Sequence, residues 1–413
     1  MKGRKRAQWT VKGIIKDKNN WTKYQEKYEG KITEHQKREV EKMMGCGEFA
    51  NGYAVYVCWS CGEEKEVPFS CKSRVCSSCG KVHADEWAEQ LAGRLFNVVH
   101  RHMTFTVASE LWEKLEANPR WRKELFGAAN ETLKRAIKGK AGIVMAMHPY
   151  GKDLKVNYHL HVLVTEGGMN EEGEWERQRY INYKTLRKVW QYEVLTRLRK
   201  VMAKTDETKR LIDRLFKKYR EGFYVHAEPK VKDGKGVGRY IGRYLRHPAS
   251  ANARIKSYDG KQVTISYNER KKGRRVSVRK TMPVLVFLHG IVRHIPPKQF
   301  KMVRYYGLYA SRKKEKVKQL LAKIGSMLGR KVRRLGWRAR QRQEFKQDPL
   351  ICPKCGASDM ELFYIKVPWC GRLMTIGGWE WLFARKCITF TPIKEADLCL
   401  PSEPVAKQMA FAF

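Results

Sequence analysis

Two histidines flank one leucine in VNYHLHVLVTEGG, residues 156–168. Side chains alternate faces along a strand, so His159 and His161 share one face while Tyr158, Leu160, Val162 and Val164 take the other. One face is then core, and the other presents a pair of imidazoles. Neutral imidazole binds divalent metals, but two such ligands make an incomplete site. His148, near the end of the preceding strand, is the first candidate for a third; His226 and Glu228 in YVHAEP are alternatives.

A second pair of reactive groups lies in GRYIGRYLRHP, where Tyr240 and Tyr244 are four residues apart. Read as a helix, this segment puts both phenols on one face, about one turn apart. A free phenol titrates near pH 10 and is a poor nucleophile at neutral pH unless the group it attacks is made more electrophilic. A cation held by His159 and His161 can do that for a phosphate by binding a non-bridging oxygen. Mg²⁺ or Mn²⁺ fits the chemistry, with imidazole favouring manganese. Arg239, Arg243 and Arg246 in the same segment suit phosphate contacts, as do Arg304, Arg333 and Arg334 further on.

The cysteines form a third constellation. CWSCGEEKEVPFSCKSRVCSSCG contains one CxxC at Cys58 and Cys61 and another at Cys76 and Cys79, each followed by glycine. Two such pairs predict one tetrahedral zinc site, although the intervening loop is slightly short for a four-cysteine ribbon. Cys46 and Cys71 are left over; Cys71 can replace one of the four or pack in the core. Near the C-terminus, CPKCG places Cys352 and Cys355 as half a further knuckle, with Cys370, Cys387 and Cys399 available to complete it.

These groups need elements to hold them. HADEWAEQLAGRLF predicts a helix after the cysteines, and VVHRHMTFTVA predicts a strand ending at Ser109, which can cap the helix that follows. GIVMAMHPYGKDLKVNYHLHVLV predicts strand, turn and strand, placing the histidine pair on the second arm of a hairpin. Helical segments from about Tyr183 to Tyr219 and a strand at GFYVHAEP come next, and Asp259-Gly260 marks another hairpin. The simplest architecture is α+β, a central antiparallel sheet with segregated helices. Three consecutive domains are expected: residues 1–95, basic and zinc-binding; 96–310, carrying the histidines and tyrosines; and 311–413, a basic helical tail with possible second knuckle.

The overall charge names a partner. The 413 residues include 85 Lys and Arg against 42 Asp and Glu, a formal net charge of +43. So basic a chain needs a polyanion to offset its self-repulsion. No apolar run approaches the ~20 residues of a membrane span, and the basic N-terminus lacks the apolar core of a signal peptide. An intracellular, nucleoid-associated, DNA-binding protein is expected, and paired cysteines agree with a reducing compartment.

The His-Leu-His triplet and YIGRY resemble the signatures of the two-tyrosine HUH endonucleases. The order of the cysteine block, HRHMTFTV, the MHPYGKDL–NYHLHVLVTEGG hairpin, RYIGRYLRHP, YDGKQVTISY and RYYGLYASRKK resembles the insertion-sequence-ninety-one family of rolling-circle transposases over roughly residues 40–315. The resemblance implies an N-terminal zinc domain, metal binding by His159 and His161, nucleophilic attack by Tyr240 and Tyr244, and single-stranded element ends, terminal hairpins and target DNA as partners. No GxxxxGK[ST] loop is evident, so no helicase is implied. A rolling-circle replication initiator or relaxase would use the same chemistry, and a non-catalytic zinc-dependent DNA-binding protein would keep HLH and YIGRY as core.

Overall fold

The structure is a computed structural model. It describes residues 8–73, 75–96, 98–178, 180–227, 250–271, 274–310, 335–369 and 372–377. In chain order these form α1 (Val11–Lys16), α2 (Asn20–Lys27), α3 (Glu34–Met44), β1 (Tyr53–Cys58), β2 (Glu64–Pro68), α4 (Ser77–Ala92) and β3 (His100–Thr106). Then follow α5 (Trp112–Ala117), α6 (Pro119–Ala136), β4 (Gly142–Tyr150), β5 (Val156–Thr165), β6 (Gly167–Met169), β7 (Trp175–Arg177), α7 (Tyr183–Val201), α8 (Asp206–Lys218) and β8 (Val225–Ala227). The remainder are β9 (Ile255–Tyr258), β10 (Gln262–Lys271), β11 (Arg274–Pro283), α9 (Val284–Val292), β12 (Val303–Gly307), α10 (Trp337–Phe345), β13 (Met360–Trp369) and β14 (Arg372–Gly377).

The chain makes two compact units, residues 1–44 with 72–334, and residues 45–71 with 335–413. This division is discontinuous in sequence, whereas cysteine and charge distribution suggested three consecutive segments. The α+β architecture of antiparallel sheets is the one expected from the sequence.

In the larger unit, an antiparallel sheet runs in the order β12-β4-β5-β3-β8. Alternation divides its residues cleanly. Met103 and Phe105 of β3, Met145 and Met147 of β4, and Leu160 and Val162 of β5 join one core with Phe126 and Leu133 of α6 and Trp190 and Leu198 of α7. The opposite face is covered in part by Trp87 and Leu91 of α4 and by Leu95, over Val144, Ala146 and Leu163. Beyond that cover, the same face carries the histidines.

Local signals explain the helices. Asn182 caps α7 by accepting from the backbone N–H of Lys184 and Thr185, and Thr205 caps α8 by accepting from Thr208. The helix expected after Ser109 is broken, because Pro119 cannot continue α5 and instead opens α6. Ser109 does not cap it; it sits in a short 3₁₀ turn, its hydroxyl 3.2 Å from Glu110.

The smaller unit is built on a sheet ordered β14-β13-β1-β2. Cys58 at the end of β1 is in register with Met360 at the start of β13. The segment before β13 is fixed by Arg338, whose guanidinium donates two 2.9 Å bonds to Asp348.

Candidate functional site

The β4–β5 hairpin determines where the histidines stand. His148 is paired with His159 and Ala146 with His161, and a bulge between His148 and Tyr150 absorbs the turn. His148, His159 and His161 therefore share one face, and one ligand nitrogen from each lies within 4.8 Å of the others. Ring centroids are 4.5 Å apart for His148–His161 and 4.9 Å for His159–His161. Of the three candidates for third ligand, His148 is the one placed in this group. His226 is on β8, in register with Thr104 and beside Tyr224, and Glu228 lies outside the described residues.

Hydrogen bonds select the nitrogen that each ring offers. The Nδ1 of His159 is 2.7 Å from the carbonyl oxygen of Asn157, which only accepts, so Nδ1 carries the proton and Nε2 the lone pair. The Nδ1 of His161 is engaged by His102 Nε2 at 2.9 Å and lies 3.3 Å from the Thr104 hydroxyl; in the tautomer whose Nδ1–H donates to one of these, Nε2 carries the lone pair. Burial lowers the pKa of His159, and burial together with His148, His159, His102 and Lys152 lowers that of His161 well below the usual range. Neutral imidazoles with oriented lone pairs are what a divalent cation needs. The three residues thus make an incomplete ligand set that fits a divalent metal.

His102 was not among the residues singled out from the sequence. It is buried on β3, on the histidine-bearing face, and stacks on His161 at 5.1 Å. Its signal was the alternation in HRHMTFT, which places His102, Thr104 and Thr106 on one side of a strand next to β5.

The cysteines correct the expected pairing. Cys58, Cys61, Cys76 and Cys79 do not form one site. Cys58 and Cys61 are joined by Cys352 and Cys355, with Sγ–Sγ distances of 3.6 Å for Cys58–Cys355 and for Cys61–Cys352. A tetrahedron with Zn–S bonds of about 2.3 Å has edges of about 3.8 Å, so these thiols fit zinc. Each pair turns in the same way: Gly62 donates to the Cys58 carbonyl and Gly356 to that of Cys352, and both glycines have positive φ. Gly80, by contrast, is helical, and CSSCG opens α4. The backbone N–H of Cys355 holds the Cys352 thiol down to about 7, favouring the thiolate that zinc binds. Cys46 and Cys71 belong to the smaller unit, where the backbone N–H of Cys71 donates to Cys46 Sγ at 3.4 Å, and Cys76 and Cys79 belong to the larger, at the N-terminus of α4. Cys352 and Cys355 are completed by Cys58 and Cys61 rather than by Cys370, Cys387 or Cys399, which lie outside the described residues.

The other expected site residues divide in two. Tyr240, Tyr244, Arg239, Arg243, Arg246, Arg333 and Arg334 lie outside the described residues. Arg304 is on β12 in register with Met145, on the face away from the histidines, with its guanidinium 4.7 Å from the Phe126 ring centre.

Comparison with known proteins agrees with this division of labour. Residues 142–316 match a family model described as a putative transposase, and residues 17–107 match a transposase zinc-binding domain. The chain is 30% identical over 305 residues to the transposase for insertion sequence element IS801 of Pseudomonas savastanoi pv. phaseolicola, covering 69% of this chain and 72% of the relative. It is 25% identical over 323 residues to the putative transposase y4qJ of Sinorhizobium fredii, covering 72% and 79%. No solved structure matches. A zinc-binding module joined to a transposase module defines a DNA-processing protein. The chain belongs to the IS91 family of transposases. Among the described residues no helix is long and apolar enough to cross a membrane.

Proposed function

We propose that this transposase cuts and rejoins single-stranded DNA at element ends through 5′-phosphotyrosine links, with His148, His159 and His161 holding Mg²⁺ or Mn²⁺. The observation that carries this reading is the convergence of three histidines on one sheet face, with the lone pair of His159 set on Nε2 by the Asn157 carbonyl. A cation bound there supplies charge to a non-bridging phosphate oxygen. The chain's own residues do the rest. The phenol oxygen of Tyr240 or Tyr244 forms a bond to phosphorus as the P–O3′ bond breaks, and the phenol proton passes through solvent to the departing 3′-oxygen. The phosphodiester energy is kept in the tyrosine link. Attack by a 3′-hydroxyl on that link restores a phosphodiester and returns the tyrosine, so strands are exchanged without ATP at the chemical step. The Cys58–Cys61–Cys352–Cys355 tetrad would hold zinc and stabilise the unit it belongs to.

The test is incubation with labelled single-stranded DNA carrying the element end, with and without Mn²⁺, followed by denaturing electrophoresis. A metal-dependent adduct that survives SDS is expected. Tight binding with no adduct from any end sequence would overturn the reading, and Tyr240→Phe and Tyr244→Phe separately identify the attacking group.

A further inference from the structure

Strands β10 and β11 form a two-stranded antiparallel ribbon paired without interruption from Gln262↔Pro283 to Lys271↔Arg274. Ten residues at about 3.3 Å each make it roughly 33 Å long. Its base is the part packed into the protein core. Val263, Ile265 and Met282 are buried there, and β9 pairs with β10 no further than Ile265. Beyond that point no described residue of the ribbon is buried, and Val276 is 41% exposed. An isolated two-stranded ribbon is marginally stable in water. The outer half therefore gains from a surface that covers it.

Its chemistry indicates which surface. In sequence, Arg270, Lys271, Lys272, Arg274 and Arg275 fall between the two strands or at their joined ends, with Glu269 the one acidic residue from 262 to 283. Register places Thr264, Ser266, Asn268, Arg275, Ser277 and Arg279 on one face, which holds hydroxyls, an amide and guanidinium groups. Asn268, Arg275, Ser277 and Arg279 are exposed. Such groups donate to phosphates and base edges, whereas a second copy of this chain would bring like charge against like.

The ribbon is also tied to the histidine hairpin. Lys152 donates to the carbonyl of Asn268 at 3.3 Å, Lys280 donates to the carbonyl of Asp153 at 3.0 Å, and Arg254 reaches both Ser266 and Lys152 through their carbonyls. Residues 151–155 connect the strand of His148 to the strand of His159 and His161. The middle of the ribbon, from Ile265↔Lys280 to Asn268↔Ser277, therefore lies against the turn of the candidate metal hairpin.

We propose that β10–β11 is a DNA-duplex arm that lies in the major groove next to the strand to be cut. A major groove about 12 Å wide admits a two-stranded ribbon, whereas the deep, narrow groove of A-form RNA does not. The proposal rests on the reading that the histidine site acts on DNA ends, and adds that the neighbouring DNA is double-stranded, as in a folded stem. It is tested without the cutting step, by fluorescence anisotropy of the full chain with a 20-base-pair DNA duplex, an RNA duplex of the same sequence and oligo-dT, with no Mg²⁺ or Mn²⁺ added. In Arg274→Ser/Arg275→Ser, duplex DNA affinity falls about thirtyfold at 0.15 M salt and the salt slope drops by nearly two, the effect of two lost phosphate contacts. RNA duplex and oligo-dT binding change less than about threefold, and Arg274→Lys/Arg275→Lys restores most of the duplex affinity. Guanine N7 atoms protected from dimethyl sulfate by the wild type become reactive with the serine variant. Unchanged duplex affinity, equal losses on all three nucleic acids, or no N7 protection in the wild type would overturn the proposal. Failure to form a tyrosine adduct would instead count against the cutting reading, since none of these measurements depends on it.

Discussion

The histidine face and the Cys58–Cys61–Cys352–Cys355 tetrad solve related problems in opposite ways. Both gather metal ligands at the ends or faces of antiparallel strands. The histidines come from neighbouring arms of one hairpin, whereas Cys58 and Cys355 are 297 residues apart in sequence. Three imidazole nitrogens make an incomplete ligand set for a divalent ion, whereas four thiolates saturate a tetrahedral one. An open set suits chemistry and a closed set suits folding. The difference also shows in the surroundings. His161 is oriented by His102 and Thr104 and made neutral by burial. The thiols are oriented by the turn backbone, through Gly62 and Gly356.

Substitutions can set the two centres apart. His161→Ala should have the largest effect on chemistry, lowering SDS-resistant adduct formation by about a thousandfold or more, since several kcal/mol of charge stabilisation is lost. DNA affinity, measured by anisotropy, should change no more than a few-fold because it rests on the basic surface. A comparable fall in both would mean that the histidine serves folding. Cys61→Ser should do the reverse: zinc content by mass spectrometry falls by one equivalent per chain, and the unit of residues 45–71 and 335–413 becomes sensitive to protease.

His102→Gln tests orientation rather than ligation. Partners of a ligand histidine typically contribute 10–100-fold to metal affinity, so the Mn²⁺ concentration for half-maximal adduct should rise about tenfold or more. An unchanged Mn²⁺ requirement would show that the His102–His161 contact has no bearing on metal binding.

pH separates the two regions further. Burial holds His100 down to about 4 from an ordinary 6.5, with its Nε2 2.6 Å from the Tyr309 hydroxyl. The unfolded chain takes up this proton first, so the stability is fully present above 6.5 and is lost as pH falls toward 4. His100 alone should account for up to about 3 kcal/mol of the stability that the metal-free chain loses over that window, and His100→Gln should lessen the pH dependence measured by urea denaturation. The smallest effect is expected at Asp359, which accepts from Ser60 at 2.5 Å and lies 3.2 Å from Cys58 Sγ. In Asp359→Asn an amide replaces a carboxylate beside a thiolate, so zinc affinity by competition with a chelator should change only a few-fold, toward tighter binding.

Much of the histidine site was legible because its information is local. His159 and His161 are two residues apart, and β alternation alone puts them on one face. The glycine and charged residues between them and His148 are turn residues, so a hairpin follows and His148 becomes the first of three candidates for a third ligand. His102 was harder to see, because HRHMTFT states a face but not which strand lies beside it. The zinc pairing was read from proximity in sequence, which favoured Cys76 and Cys79 as partners for Cys58 and Cys61. A finer signal was present: CWSCG and CPKCG are both knuckles closed by a positive-φ glycine, while CSSCG leads into HADEW and a helix.

By itself the sequence determined the ligand types, the alternation that makes one sheet face polar and the charge that calls for a polyanion, since each depends on neighbouring residues or on simple sums. Tertiary structure decided which distant segments meet: β13 beside β1, which gives Cys58 and Cys61 their partners, and β3 beside β5, which gives His161 its His102. Strand neighbours are selected by burial of whole faces and by backbone pairing, and neither quantity is written in the residues of one strand alone.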